Sequence, residues 1–187
     1  MTTEPLVALE LATPAGSLTV LLSPEDGVVR ASGFTAPSVL LGRLPMALRM
    51  RGTVAAPSPR GDTDDGGAGG AAARAAAAIT AAVVAYSAGD LAALGAVATE
   101  QDGGPFFQDV WRAMRDIPAG TTISYAQLAA RAGRPRAIRA AGTACARNLL
   151  APFVPCHRVL RSGGAIGGYA YGLAVKDALL AHEGPRA

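Results

Sequence analysis

Ser124-Tyr125-Ala126-Gln127-Leu128-Ala129-Ala130-Arg131, followed by Ala132-Gly133-Arg134-Pro135 and a second run to about Arg147, is the stretch that decides the fold. A serine with glutamine three residues later reads as a capping box, in which each side chain satisfies the other residue's free backbone N–H. The helix it opens stops at Gly133, and Pro135 starts the next one. Two short helices joined by so tight a turn form a helix-turn-helix pattern. Upstream, Phe107, Val110, Trp111 and Met114 fall at helical spacing, so 105–116 reads as an amphipathic helix ended by Pro118 and Gly120. Its aromatic stripe belongs to the core. Downstream, Phe153–Leu160 and Ala165–Tyr169, joined by Arg161-Ser162-Gly163-Gly164, read as a short hairpin, and a last helix spans 173–182. Helix-turn-helix plus a small β-wing is the outline of a winged-helix domain.

The N-terminal half reads differently. Leu6–Leu11 and Ser17–Leu22 are short apolar or alternating runs separated by Thr13-Pro14-Ala15-Gly16, and Asp26-Gly27 introduces Val28–Phe34. That pattern predicts a small antiparallel sheet. From about 51 to 70 the composition turns to Gly, Pro, Ser and Asp, which predicts a flexible loop. An alanine-rich helix follows over 71–88, stopped at Gly89. The fold class is therefore α+β, with an N-terminal α/β domain over 1–99 and a C-terminal winged-helix domain over 100–187.

The chain has 187 residues, half of them apolar and 17% charged, with a net charge of +3. It is long enough to bury a proper core. The charge is unevenly spread: residues 1–99 carry net −2 and residues 100–187 net +5. Seven arginines lie between positions 131 and 161 (131, 134, 136, 139, 147, 158 and 161) with no acid among them. That run is a candidate phosphate-facing surface, with Arg134 and Arg136 as candidate contacts to a nucleic-acid backbone. Two cysteines and two histidines fall short of a four-ligand zinc site, so no metal is expected. Cys145 and Cys156 suggest no disulfide framework. Glu4 and Glu10 interrupt the N-terminal apolar run, and the apolar segment from Ala75 to Ala88 is too short and alanine-rich to span a bilayer. The expectation is a cytoplasmic protein with no membrane contact.

The chemistry concentrates in Pro155-Cys156-His157-Arg158-Val159, entered through the apolar run Ala151-Pro152-Phe153-Val154. An apolar pocket alone raises a thiol's pKa and leaves it inert, so a reactive Cys156 needs a proton acceptor. On an extended strand His157 would face the opposite side, so cooperation requires a tight turn or a bridging water. Taken alone, a Cys-His pair is more often a buried small residue beside a satisfied one. Here the surroundings favour function.

Ser124 through Gly184 resembles the O6-alkylguanine-DNA alkyltransferase family. The matching segments are Ser124–Ala129, Arg139-Ala140-Ala141-Gly142, Asn148, Val154–Val159, Gly168-Tyr169, and Gly172-Leu173-Ala174 through Leu180-Ala181-His182-Glu183-Gly184. The resemblance continues upstream in Phe107–Trp111 and Tyr86–Leu91 and, more weakly, in Thr13–Leu18. The resemblance implies a ribonuclease-H-like N-terminal domain and Cys156 as alkyl acceptor. His157 would take the thiol proton through a water, Glu183 would orient the imidazole, and Asn148 would brace the turn. It further implies that Tyr125 pushes on the phosphate beside the target base and that Arg139 fills the vacated stack. Tyr169, the N–H of Ala170 and the carbonyl of Val159 would line the base pocket. Tyr171 stands where some relatives have glycine and others a large residue, and its phenol should limit alkyl-group size.

A base held in the stack hides its alkyl carbon from in-line attack, so extrusion is required. A recognition helix rich in Ala and Gly can lie close to a shallow groove while Arg139 intercalates. The implied activity is irreversible transfer of an alkyl group from O6-alkylguanine in double-stranded DNA, with O4-alkylthymine as a further candidate. It would need no cofactor, act as a monomer and be largely sequence-independent. Ala141 replaces a bulkier valine of the family pattern, Ala170 a frequent serine, and some relatives' N-terminal zinc ligands are absent. Two alternatives compete: a non-catalytic lesion-binding protein, in which tryptophan usually replaces the cysteine, and a winged-helix regulator that senses alkylation through Cys156.

Overall fold

The computed structural model describes residues 4–56 and 68–184. Strands β1 (Leu6–Thr13), β2 (Gly16–Leu22) and β3 (Val29–Gly33) run antiparallel, as the alternation predicts. Thr13 lies opposite Gly16 across a two-residue turn, and Gly16 takes a φ of +112°, which a side chain would oppose. A fourth strand, β4 (Thr53–Ala55), pairs in parallel with β1, so the sheet is mixed, with the order β3-β2-β1-β4.

This corrects the flexible loop expected at about 51–70. Its first part is strand, and the following helix already begins at Ala68. Three residues are too few to show an alternation, and β4 exists because Leu6–Ala8 offers a free edge for its backbone groups. The remainder of that predicted loop, residues 57–67, lies outside the described residues.

Period-2 alternation gives the sheet two apolar faces. Leu6, Leu21 and Ala31 meet Leu40 and Leu44 from the segment containing α1 (Pro37–Arg43) and α2 (Met46–Arg49). Val7, Leu9, Val20 and Leu22 belong to the larger core, to which α3 (Ala68–Ser87) adds Ala72, Ala76, Ile79, Val83 and Tyr86. Those five positions recur every three or four residues, one stripe of a helix. At 20 residues α3 is longer than the sequence suggested. By length and composition alone it could cross a membrane.

In the second half α4 (Pro105–Arg115) buries Val110, Trp111, Ala113 and Met114. The Trp111 Nε1–H donates to the carbonyl of Ala144 at 2.9 Å, tying α4 to the second helix of the helix-turn-helix. Strand β5 (Ile123–Ser124) leads into α5 (Tyr125–Arg131) through the predicted capping box. Gln127 N–H donates to Ser124 Oγ at 3.2 Å, and Ser124 N–H to Gln127 Oε1 at 2.7 Å. The next helix, α6 (Ile138–Arg147), starts three residues later than Pro135. Pro135 instead occupies a turn closed by Ala137 N–H to Arg134 O at 2.9 Å, a position its fixed φ suits.

The β-wing is also different. Only Val159–Leu160 forms a strand, β6, and it pairs in parallel with β5 rather than with 165–169. Pro152 and Pro155 lack N–H donors, and Cys156–Arg158 coils into a 3-10 turn, so no ladder can propagate through the segment. The Arg161 N–H still bonds Ala165 O at 2.9 Å, which returns the chain towards α7 (Leu173–Glu183). The buried core is continuous from Val7 through Tyr86, Trp111 and Val154 to Leu179, spanning both halves of the sequence. The Ser32–Leu150 bridge and a hydrogen bond from Glu100 N–H to Val29 O at 3.0 Å fasten the sheet edge to the second half.

Candidate active site

The 3-10 turn answers the orientation question posed by adjacent cysteine and histidine. It turns both inward, where a strand would have separated them, and leaves Cys156 8% and His157 0% exposed. Asn148, at the end of α6, donates Nδ2–H to Val154 O at 2.8 Å and to Cys156 Sγ at 3.2 Å. Its Oδ1 accepts from Leu150 N–H and Gln101 Nε2–H, both at 3.1 Å, so the whole amide is occupied and its orientation fixed. Gln101 in turn accepts the Leu149 N–H at 2.8 Å.

Behind the thiol, His157 Nε2 lies 2.9 Å from Glu183 Oε1. A carboxylate accepts only, so Nε2 carries the proton and Nδ1 presents its lone pair. Among the described residues that Nδ1 is buried and has no hydrogen-bond partner. Glu183 also accepts from Tyr86 OH at 3.0 Å and, twice at 2.9 Å, from the Arg158 guanidinium, which also donates to Ile117 O. Burial would raise the Glu183 pKa, but hydrogen bonds from His157 and Arg158 and their charges outweigh it and hold the carboxyl at about 2.

Burial pushes the Cys156 thiol up, partly offset by the Asn148 hydrogen bond and the charge of Lys176. Burial pushes His157 down, against the opposing pull of Glu183. The resting pair at neutral pH is therefore a neutral thiol beside a neutral imidazole. Such a pair can separate charge when the sulfur attacks, with Glu183 stabilising the imidazolium that forms.

Cys156 opens onto a pocket of about 400 Å³. Of the sequence-predicted residues, Tyr125, Asn148, Tyr169, Ala170 and Tyr171 line it together with Cys156. His157 and Glu183 sit behind it, fully or nearly buried. Val159 is absent from the lining. Its carbonyl accepts from the buried Lys176 Nζ at 2.7 Å, which also donates to Ile166 O at 2.8 Å. Cys145, on α6, borders the same pocket, and burial raises its thiol pKa so far that it stays protonated.

Arg139 is exposed in the first turn of α6, and Arg136 is exposed in the turn before it. Arg134 is exposed too, its guanidinium 5.1 Å from the Phe106 ring centroid. One member of the arginine run is misassigned by charge counting. Arg158 is buried and bonded to Glu183, whereas the other six are exposed. Sequence reasoning also missed Gln101, Tyr86 and Lys176 as members of the site. Two of them carried a signal: Tyr86 opens a segment that matches the family, and Lys176 is the single lysine in the chain. Among the described residues no three His, Cys, Asp or Glu side chains gather where they could hold a metal ion.

Fold and site together define an α+β protein whose helix-turn-helix walls a pocket with a buried cysteine–histidine–glutamate relay at its base. Residues 105–185 match the family model described as 6-O-methylguanine DNA methyltransferase, DNA binding domain. That match takes in less than half of the chain and likens its second half to the O6-alkylguanine-DNA alkyltransferases. It is 48% identical over 99 residues to the methylated-DNA--protein-cysteine methyltransferase of Salmonella typhimurium, an alignment covering 53% of this chain and 58% of that protein. The chain thus spans little more than half the length of that relative. Over nearly its full length it resembles the crystal structure of Mycobacterium tuberculosis O6-methylguanine methyltransferase, with 29% identity, a TM-score of 0.66, and coverage of 96% of this chain and 92% of that one. The crystal structure of M. tuberculosis OGT in complex with DNA gives 26% identity and the same TM-score, covering 95% and 92%.

Proposed function

We propose that this protein repairs DNA by moving an alkyl group from guanine O6 to Cys156, once per molecule. The observation that carries this reading is the relay. A thiol faces a pocket, and the adjacent imidazole has one nitrogen committed to Glu183 and the other free to take a proton. Sulfur attacks the alkyl carbon as the C–O6 bond breaks, and the thiol proton passes to His157 Nδ1, through a bridging water where the two do not touch. The departing guanine recovers a proton from solvent. Asn148 Nδ2–H, already on Sγ, stabilises the developing thiolate. The thioether product has no leaving group, so the protein is consumed.

Double-stranded DNA carrying O6-alkylguanine is the substrate in this account, bound as a monomer and largely without regard to sequence. O4-alkylthymine is a second substrate. Exposed arginines on and around α6 supply the charge, and the small residues of α6 allow close approach. The protein works in the cytoplasm, a reducing compartment compatible with its two free cysteines. Titrating protein with duplex bearing O6-methylguanine tests the reading: repair should stop at one methyl per protein molecule. Turnover beyond one, or tight binding without transfer, overturns it, the latter in favour of lesion recognition alone.

A further inference from the structure

One wall of the pocket that Cys156 opens onto is held from the other half of the chain. Tyr171 lies on a segment flanked by Gly167 and Gly172, both at positive φ, and both hydrogen bonds of its hydroxyl leave that segment. It donates to Ser32 O at 3.1 Å on β3 and accepts from Arg43 Nη1 at 3.2 Å at the end of α1. The second Arg43 amino group reaches Ala146 O at 3.4 Å and Asn148 O at 3.5 Å, the carbonyls that end α6. The Tyr171 ring stands edge-on to Phe34, 5.9 Å between centroids, and to Tyr169, 5.6 Å. Gly33 leaves room for this arrangement. A Cβ there would lie 2.1 Å from the Tyr171 hydroxyl oxygen and 2.2 Å from its ring carbon.

We propose that Arg43 and Gly33, through Tyr171, set the size of alkyl group that the Cys156 pocket admits; this rests on the alkyl transfer proposed above. Tyr171 shares the lining of one pocket with Cys156, so the place of its ring fixes how much volume a group on O6 can occupy. The glycines beside it provide no stiffness of their own. Its hydroxyl makes the two hydrogen bonds that hold it, one as donor and one as acceptor, and both partners lie in the N-terminal half. Arg43 is a positioning residue: it holds the wall and the Asn148 turn in one grip. Removing its guanidinium frees the phenol to swing outward and widens the pocket. Adding a methyl at Gly33 drives the phenol off β3, towards Tyr169 and the pocket, and narrows it.

The experiment compares rates of Cys156 modification by free O6-benzylguanine and by O6-methylguanine in duplex DNA. The variants are Arg43→Ala, Tyr171→Phe and Gly33→Ala, with Arg43→Ala and Gly33→Ala repeated in a Tyr171→Gly background. Arg43→Ala should raise the benzyl-to-methyl ratio by roughly fivefold, the loss of about one hydrogen bond. Tyr171→Phe should raise it likewise, which keeps the test open if Arg43→Ala folds poorly. Gly33→Ala should lower it. Both N-terminal substitutions should lose their effect when Tyr171 is already glycine. A ratio unmoved by Arg43→Ala and Tyr171→Phe, or an effect that persists without the Tyr171 ring, overturns the proposal. A wild-type protein that gains no alkyl group from either substrate removes the proposed function instead.

Discussion

Glu183 closes α7, where the helix dipole disfavours a carboxylate, and four hydrogen bonds from Tyr86, His157 and Arg158 outweigh that placement. Its carboxyl is held at about 2 against an ordinary 4.5. A depressed folded-state pKa contributes stability that is complete above 4.5 and is lost as pH falls towards 2, a difference of about 3 kcal/mol. Melting temperature should therefore drop across that window in the wild type, while Glu183→Gln should lack this component. Glu183→Gln should also be less stable at neutral pH by about 3 kcal/mol or more, because it strands the buried Arg158 charge. Identical acid profiles for the two proteins would show that Glu183 is not the titrating group. Of this network, His157 and Glu183 were legible through the family resemblance. Arg158 was not, because an arginine among six exposed ones reads as surface until the fold supplies its buried partner.

At the scale of elements, helices were the most legible because their ends are written locally. Ser124, Gln127 and Gly133 mark α5 without reference to anything distant. The wing was illegible because β6 pairs with β5, more than thirty residues earlier, and a two-residue parallel bridge leaves no alternation to detect. Strand β4 escaped notice for the same reason. Helix α6 carries the sharpest functional forecast of any element. Its exposed outer residues are Ile138, Arg139, Thr143, Ala146 and Arg147, few of them long and polar enough to read base edges, so its arginines should act on shape and charge. Arg139→Ala should slow repair in duplex DNA far more than reaction with a free modified base, since filling a vacated stack matters only in the duplex. Equal losses would make Arg139 a structural residue. Arg136→Ala should weaken binding to all sequences and flatten the salt dependence by about one unit of slope.

Across the whole molecule, β3 is tied to the second half by the Ser32–Leu150 bridge, the Arg30–Glu100 ion pair and the Tyr171 hydroxyl on Ser32 O, and α1 is tied to it by Arg43. The division of net charge between the halves, visible in the sequence, fits the proposed function, in which the basic half meets DNA. What the sequence could not show is that the sheet edge reaches the catalytic turn, because that contact depends on packing between segments more than a hundred residues apart. The central claim is that Cys156, rather than its pocket neighbour Cys145, receives the alkyl group. Intact-mass and peptide-mass measurement after incubation with O6-methylguanine duplex tests it most directly. The account predicts one added methyl per chain, located on Cys156, absent in Cys156→Ala and undiminished in Cys145→Ala; a methyl found on Cys145, or one that survives Cys156→Ala, would contradict it.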